Sequence, residues 1–79
     1  MEVIPAVREF ITGELLQRSD LNIADDTALI DEGYLTSLQT VELLMFLEEN
    51  FNIEIDPSEV DEDNFHSLNS IAALVEGKL

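Results

Sequence analysis

The sequence predicts an all-α fold, a four-helix bundle with a long first loop and a short third helix. Three observations predict it. Apolar residues recur at helical spacing in separate stretches, helix-start signals precede them, and no two alternating segments offer each other a sheet partner. Over 3–17, Val3, Val7, Phe10, Ile11 and Leu15 share a helical face. Pro5 is tolerated there because it lies in the first turn, and Gly13 weakens the helical propensity. From 18 to 35 the pattern dissolves into Asp, Asn, Thr and Gly, with Leu21, Ile23, Leu29 and Ile30 as apolar points that pin a long loop to the core.

Thr36-Ser37-Leu38-Gln39 reads as a capping box, with the Thr36 hydroxyl accepting from the Gln39 amide and the Gln39 side chain reaching back. A helix therefore starts at Ser37 and runs to about Asn50. Phe51, Ile53 and Ile55 alternate as a strand would, but without a partner they read as a loop. Asp56-Pro57-Ser58-Glu59 is a second start signal, with Asp as N-cap and Pro at the first helical position, for a third helix of one or two turns. Ser67 caps the last helix, which carries Leu68, Ile71, Ala72, Leu74 and Val75 and closes at Gly77.

With 79 residues, 46% of them apolar, the chain fits one domain over 1–79, large enough to bury a core. Its formal net charge of -15 must lie outside that core. Only Arg8, Arg18 and Lys78 oppose the acids, and between Ser19 and Gly77 fifteen acids stand without a single Lys or Arg. Such a surface repels nucleic acid and anionic membranes and attracts basic protein partners, with salt-dependent association. Cysteine is absent, which removes disulfides and thiolate metal sites. The apolar runs are short and Met1-Glu2-Val3-Ile4-Pro5 lacks the pattern of a leader, so the expectation is a cytoplasmic monomer with no membrane insertion.

The helix from Ser37 to Asn50 is apolar on two sides. At about 100° per residue, Leu43, Leu44, Leu47 and Phe51 fall together with Thr40, whereas Leu38, Val41 and Met45 lie roughly opposite, beside Glu42 and Glu49. One stripe serves the core. The other is either covered by the 18–35 loop or exposed as a docking face, where apolar anchors supply affinity and the carboxylate rim supplies orientation. The acid run Asp61-Glu62-Asp63, and Asp20, Asp25 and Asp26, read as solvated faces.

The stretch Glu32-Gly33-Tyr34-Leu35-Thr36-Ser37-Leu38-Gln39-Thr40-Val41-Glu42-Leu43 resembles the modification motif of the acyl carrier protein family, including its peptidyl and D-alanyl carrier relatives. Ser37, Leu38, Val41, Glu42 and Leu43 match, as do Leu47-Glu48-Glu49 and Phe51, and the likeness runs through Asp56-Pro57 and Asn64-Phe65-His66-Ser67-Leu68. The resemblance implies a fold of acyl-carrier type and a covalent 4'-phosphopantetheine cofactor, attached to Ser37 from coenzyme A by a Mg-dependent phosphopantetheinyl transferase. It further implies that Thr36, Leu38, Val41, Glu42, Met45, Glu48 and Glu49 meet the transferase and the basic patches of acylating, adenylating and condensing enzymes. The carrier needs no catalytic group of its own.

The family's usual Asp before the serine is Thr36 here, and the acid often found two after it is Gln39; both replacements keep the cap and remove a charge. This variant favours a free-standing carrier of acyl or aminoacyl thioesters in a polyketide, peptide or other specialised pathway. A housekeeping carrier of fatty-acid synthesis and an unloaded acidic adaptor that works only by docking are the alternatives. A hydrolase is unsupported, since His66 is the lone histidine and no Gly-x-Ser-x-Gly turn surrounds a serine; no acid spacing fits a calcium loop.

Overall fold

The computed structural model describes residues 3–18 and 20–79; Met1 and Glu2, part of the N-terminal stretch read above for a leader, and Ser19 lie outside it. The chain forms helix α1 (Val3–Glu9), which passes directly into a π-helical segment (Phe10–Leu15), then α2 (Ser37–Phe51), a 3₁₀ turn (Pro57–Glu59) and α3 (Leu68–Glu76). Three α-helices are thus present among the described residues, and the expected four-helix bundle is corrected accordingly.

The place of the short third helix is taken by the single 3₁₀ turn. Its start signals are all used: Asp56 caps the Ser58 amide, the Glu59 carboxylate accepts from the Asp56 amide at 2.9 Å, and Pro57 opens the turn. Propagation fails because Val60 adopts φ -85°, ψ 82° and leaves helical space. The continuation of the first helix departs from expectation in another way. At Phe10–Leu15 the backbone widens into π register, and Gln17, at φ 52°, turns the chain out of it as the Arg18 amide reaches back to the Thr12 carbonyl.

The core draws on the three α-helices, the π-helical segment and the long loop, while the 3₁₀ turn buries no side chain. Val3, Val7 and Ile11 meet Leu43, Leu47, Phe51, Phe65, Leu68, Ile71 and Val75 in one buried cluster. Ile23, Leu29 and Leu35 join it from the long loop, so that loop is pinned as its apolar residues require. Two polar ties reinforce the pins: Arg8 donates to the Ile23 carbonyl at 3.0 Å and pairs with Asp25, and the Asn69 amide donates to the Asp25 carbonyl at 3.1 Å.

Phe51, Ile53 and Ile55 alternate with exposed Asn52 and Glu54, yet no strand forms among the described residues. Asn52 ends α2 in left-handed geometry, φ 54°, which Asn tolerates better than most residues. The Ile55 amide is then satisfied by the Glu48 carboxylate at 2.9 Å instead of a neighbouring strand.

Since Leu47 is wholly buried and Val41 is 48% exposed on the opposite side of the same helix, their truncations should differ sharply. Leu47→Ala should lose about 3 kcal/mol in urea unfolding, and Val41→Ala less than about 0.5 kcal/mol. Equal losses would mean that both stripes are buried.

Near the C-terminus, Lys78 bonds Glu59 at 2.8 Å and, with the Asp56 amide, holds the Glu59 carboxyl below its ordinary 4.5. The Ser58 amide and hydroxyl lower Asp56 from 3.8 in the same way. Depressed folded values mean that both carboxylates contribute stability above their ordinary range, and that it is lost as pH falls through the folded values. In a carboxyl NMR titration, Lys78→Met should move Glu59 up towards 4.5, and a Glu59 titration that does not move would mean that the pair is absent in solution.

Candidate functional site

The start of α2 is built by the turn before it. Leu29 is fully buried; its amide donates to the His66 carbonyl at 2.8 Å, and its carbonyl accepts from both Tyr34 (2.8 Å) and Leu35 (3.1 Å). Gly33, at φ 81°, makes the reversal, a conformation that a side chain would strain. Leu35 then enters the core and the next two residues emerge into solvent.

Thr36 is the N-cap. Its hydroxyl accepts from the Gln39 amide at 3.2 Å, the Gln39 side chain accepts from the Thr36 amide at 3.0 Å, and the buried Thr40 hydroxyl bonds the Thr36 carbonyl at 2.9 Å. An α-helix leaves its first amides without intrahelical acceptors, and this box satisfies two donors at the helix start. The Ser37 and Leu38 amides remain at the positive end of the helix, beside an exposed Ser37. No carboxylate lies in the first turn of α2. The serine therefore stands in an environment favourable to an attached phosphodiester.

Of the residues the sequence nominated for docking, Leu38, Val41 and Met45 are 69%, 48% and 56% exposed. The loop leaves them open. Glu42 and Glu49 are exposed beside them, and Thr36 caps their end of the helix. Glu48 stands apart, half-buried and bonded to the Ile55 amide. Phe46, on the same helix, is half-buried and stacks on Phe10.

Sequence reasoning passed over the ground beside Ser37. A cleft of about 260 Å³ opens there, lined by Ile30, Leu35, Thr36, Thr40, Val60 and the acids Asp61 and Glu62 as well as Ser37 itself. Asp61 accepts from the Asn64 amide at 2.8 Å, which fixes the acid run at one wall. Only the fold brings 60–62 next to 35–40, and no local pattern in the acid run signals it. The cleft is bounded by Leu35 and Thr40, while Leu43, Leu47 and Phe65 fill the interior.

The exposed hydroxyl, the amides above it and the adjoining cleft fit a phosphopantetheine arm joined at a serine, and the arm, when bound, supplies a terminal thiol for carrying cargo as a thioester. Comparison with known proteins agrees. The family described as "Phosphopantetheine attachment site" matches residues 6–75. The chain is 38% identical over 77 residues to the D-alanyl carrier protein of Lactococcus lactis subsp. cremoris (strain MG1363), covering 98% of this chain and 92% of that one. It is 36% identical over 75 residues to the D-alanyl carrier protein of Leuconostoc mesenteroides subsp. mesenteroides, covering 95% and 90%. A solved chain described as "Crystal structure of FAD-dependent dehydrogenase" superposes with a TM-score of 0.79 at 28% identity, covering 87% of this chain and 97% of that one. The two are thus of similar length, and the likeness bears on the small helical fold. Site geometry and relatives converge: the chain belongs to the phosphopantetheine-attachment family of non-catalytic carrier domains, whose covalent cofactor is 4'-phosphopantetheine.

Proposed function

We propose that Ser37 is the serine that receives the 4'-phosphopantetheine arm, and that the single domain over 1–79 carries a short acyl or aminoacyl group as a thioester in the cytoplasm. The observation that carries this reading is the exposed Ser37 at the capped start of α2, followed on the same helix by the open apolar face of Leu38, Val41 and Met45. A modification enzyme needs both an accessible hydroxyl and a surface to grip. An aminoacyl cargo is favoured by the D-alanyl carrier proteins among the relatives. A short cargo is favoured by the small cleft at Ser37, which ends against packed side chains.

In this reading Thr36 and Gln39 fix the helix start, and the Ser37 and Leu38 amides face the phosphodiester. Leu38, Val41 and Met45 anchor the transferase and the cargo-loading enzyme, and Glu42 and Glu49 pair with their basic residues. Glu48 contributes chiefly by holding Ile55.

Intact mass after incubation with coenzyme A, Mg²⁺ and a broad-specificity phosphopantetheinyl transferase tests the assignment. One added phosphopantetheine is expected, and Ser37→Ala should abolish it; no gain with several transferases would support an unloaded adaptor instead. The missing acid before the serine makes a second, kinetic expectation. Thr36→Asp should raise the loading rate at low salt, by roughly the several-fold typical of one added rim charge, and an unchanged rate would remove any role for charge at that position.

A further inference from the structure

Away from Ser37, the rings of Phe10 and Phe46 stack with centroids 4.1 Å apart and planes 13° from parallel. Both are half-buried, so the stack forms part of the surface. Two clefts flank it. One of about 350 Å³ separates the first helix from α2, lined by Ala6, Glu9, Gly13, Glu14 and Asn50 around the two rings. The other, of about 240 Å³, is lined by Glu42, Met45 and Glu49 together with the same rings. Met45 also belongs to the exposed face that begins at Leu38, so that face continues over the ring stack onto the first helix.

The chemistry of this continuous track is consistent along its length. Its floor is apolar, and its walls carry Glu9 and Glu14 on one side and Glu42 and Glu49 on the other, with no Lys or Arg lining either cleft. The π register of Phe10–Leu15 widens the helix where the groove needs room, and a side chain added at Gly13 would meet nothing within 4 Å. Two clefts meeting over an aromatic pair fit an elongated occupant. An amphipathic helix laid in a groove uses apolar residues on one stripe for the floor and charges on its flanks for the walls. Carboxylate walls select basic flanks and repel phosphate-bearing polymers and anionic bilayers.

We propose that the groove between the first helix and α2 extends the docking face proposed above, on which it rests and with which it shares Met45, Glu42 and Glu49, and that its occupant is a basic amphipathic helix of a partner protein. Its apolar stripe covers Phe10, Phe46 and Met45, and its Lys or Arg side chains face Glu9, Glu14, Glu42 and Glu49. The groove shares no lining residue with the cleft at Ser37, so the interaction does not require Ser37 to be loaded.

The test uses the full chain carrying Ser37→Ala, labelled with ¹⁵N, and a synthetic amphipathic helix of Leu and Lys as probe. The largest amide shifts should fall at Ala6, Phe10, Gly13, Phe46 and Asn50. Gly13→Leu fills the groove from an open position and should keep or raise the Tm, since Leu is the better helix former, while weakening the probe by about tenfold. The double reversal Glu9→Lys with Glu14→Lys should weaken it comparably and flatten its salt dependence. Asp26→Lys with Glu54→Lys, the same charge change placed elsewhere, should alter affinity by less than about twofold. Shifts confined to Leu38 and Val41, or equal losses from both charge pairs, would overturn the proposal. So would unchanged binding by Gly13→Leu.

Discussion

The backbone bond from Leu29 to His66 is the constraint on which the site depends. Leu29 is a point in a loop of low helical propensity, yet its side chain is fully buried and its amide is tied to the residue before the N-cap of α3. Its carbonyl in turn collects the Tyr34 and Leu35 amides. One residue thereby fixes where the loop ends, where α2 begins and how α2 starts relative to α3. Without that tie, Thr36 and Ser37 would belong to a long loop whose closure entropy opposes any defined helix start. With it, the capping box forms at a set position and presents Ser37 outward.

Electrostatics reflect the same economy of basic residues. Two of the three cationic side chains are used as braces, Arg8 to Asp25 and Lys78 to Glu59, whereas Arg18 is exposed and only 4.0 Å from Asp20. Arg8 also donates to the Ile23 carbonyl, so it secures the loop by a hydrogen bond to its backbone as well as by charge. None lines the clefts around the ring stack. The acidic surface is consequently almost uniform in sign around the exposed apolar face, and the ion pairs among the described residues lie at the loop and the C-terminus.

Helix starts were legible in the sequence because each rests on residues three or four apart. Thr36 with Gln39, Asp56 with Glu59 and Ser67 with Ser70 all cap as their spacing indicates. The extent of a helix was less legible, since it depends on residues beyond the start signal: the turn at Pro57–Glu59 stops where Val60 leaves helical space, and Phe10–Leu15 takes a π register that no local pattern signals. The two stripes of α2 were readable from periodicity, but whether the loop covers the second was not, because the loop's apolar residues go to the core on the other side. At the candidate site, Ser37 and its cap were legible locally. The wall formed by Val60, Asp61 and Glu62 and the inward use of Glu48 were not, for both arise from segments brought together only in three dimensions.

An exposed apolar face on so small a chain invites self-association, and the charge distribution explains how this chain can keep one. Two copies brought together through Leu38, Val41 and Met45 would also bring together two sets of Glu42 and Glu49, with all the remaining acid behind them. Like charges at an interface oppose association even where the apolar contact is favourable, and a net charge of -15 extends that repulsion over the whole approach. A basic partner meets the opposite sign and gains from the same carboxylates. On that electrostatic ground the acidity opposes the approach of a second copy through the apolar face and favours surfaces of complementary charge.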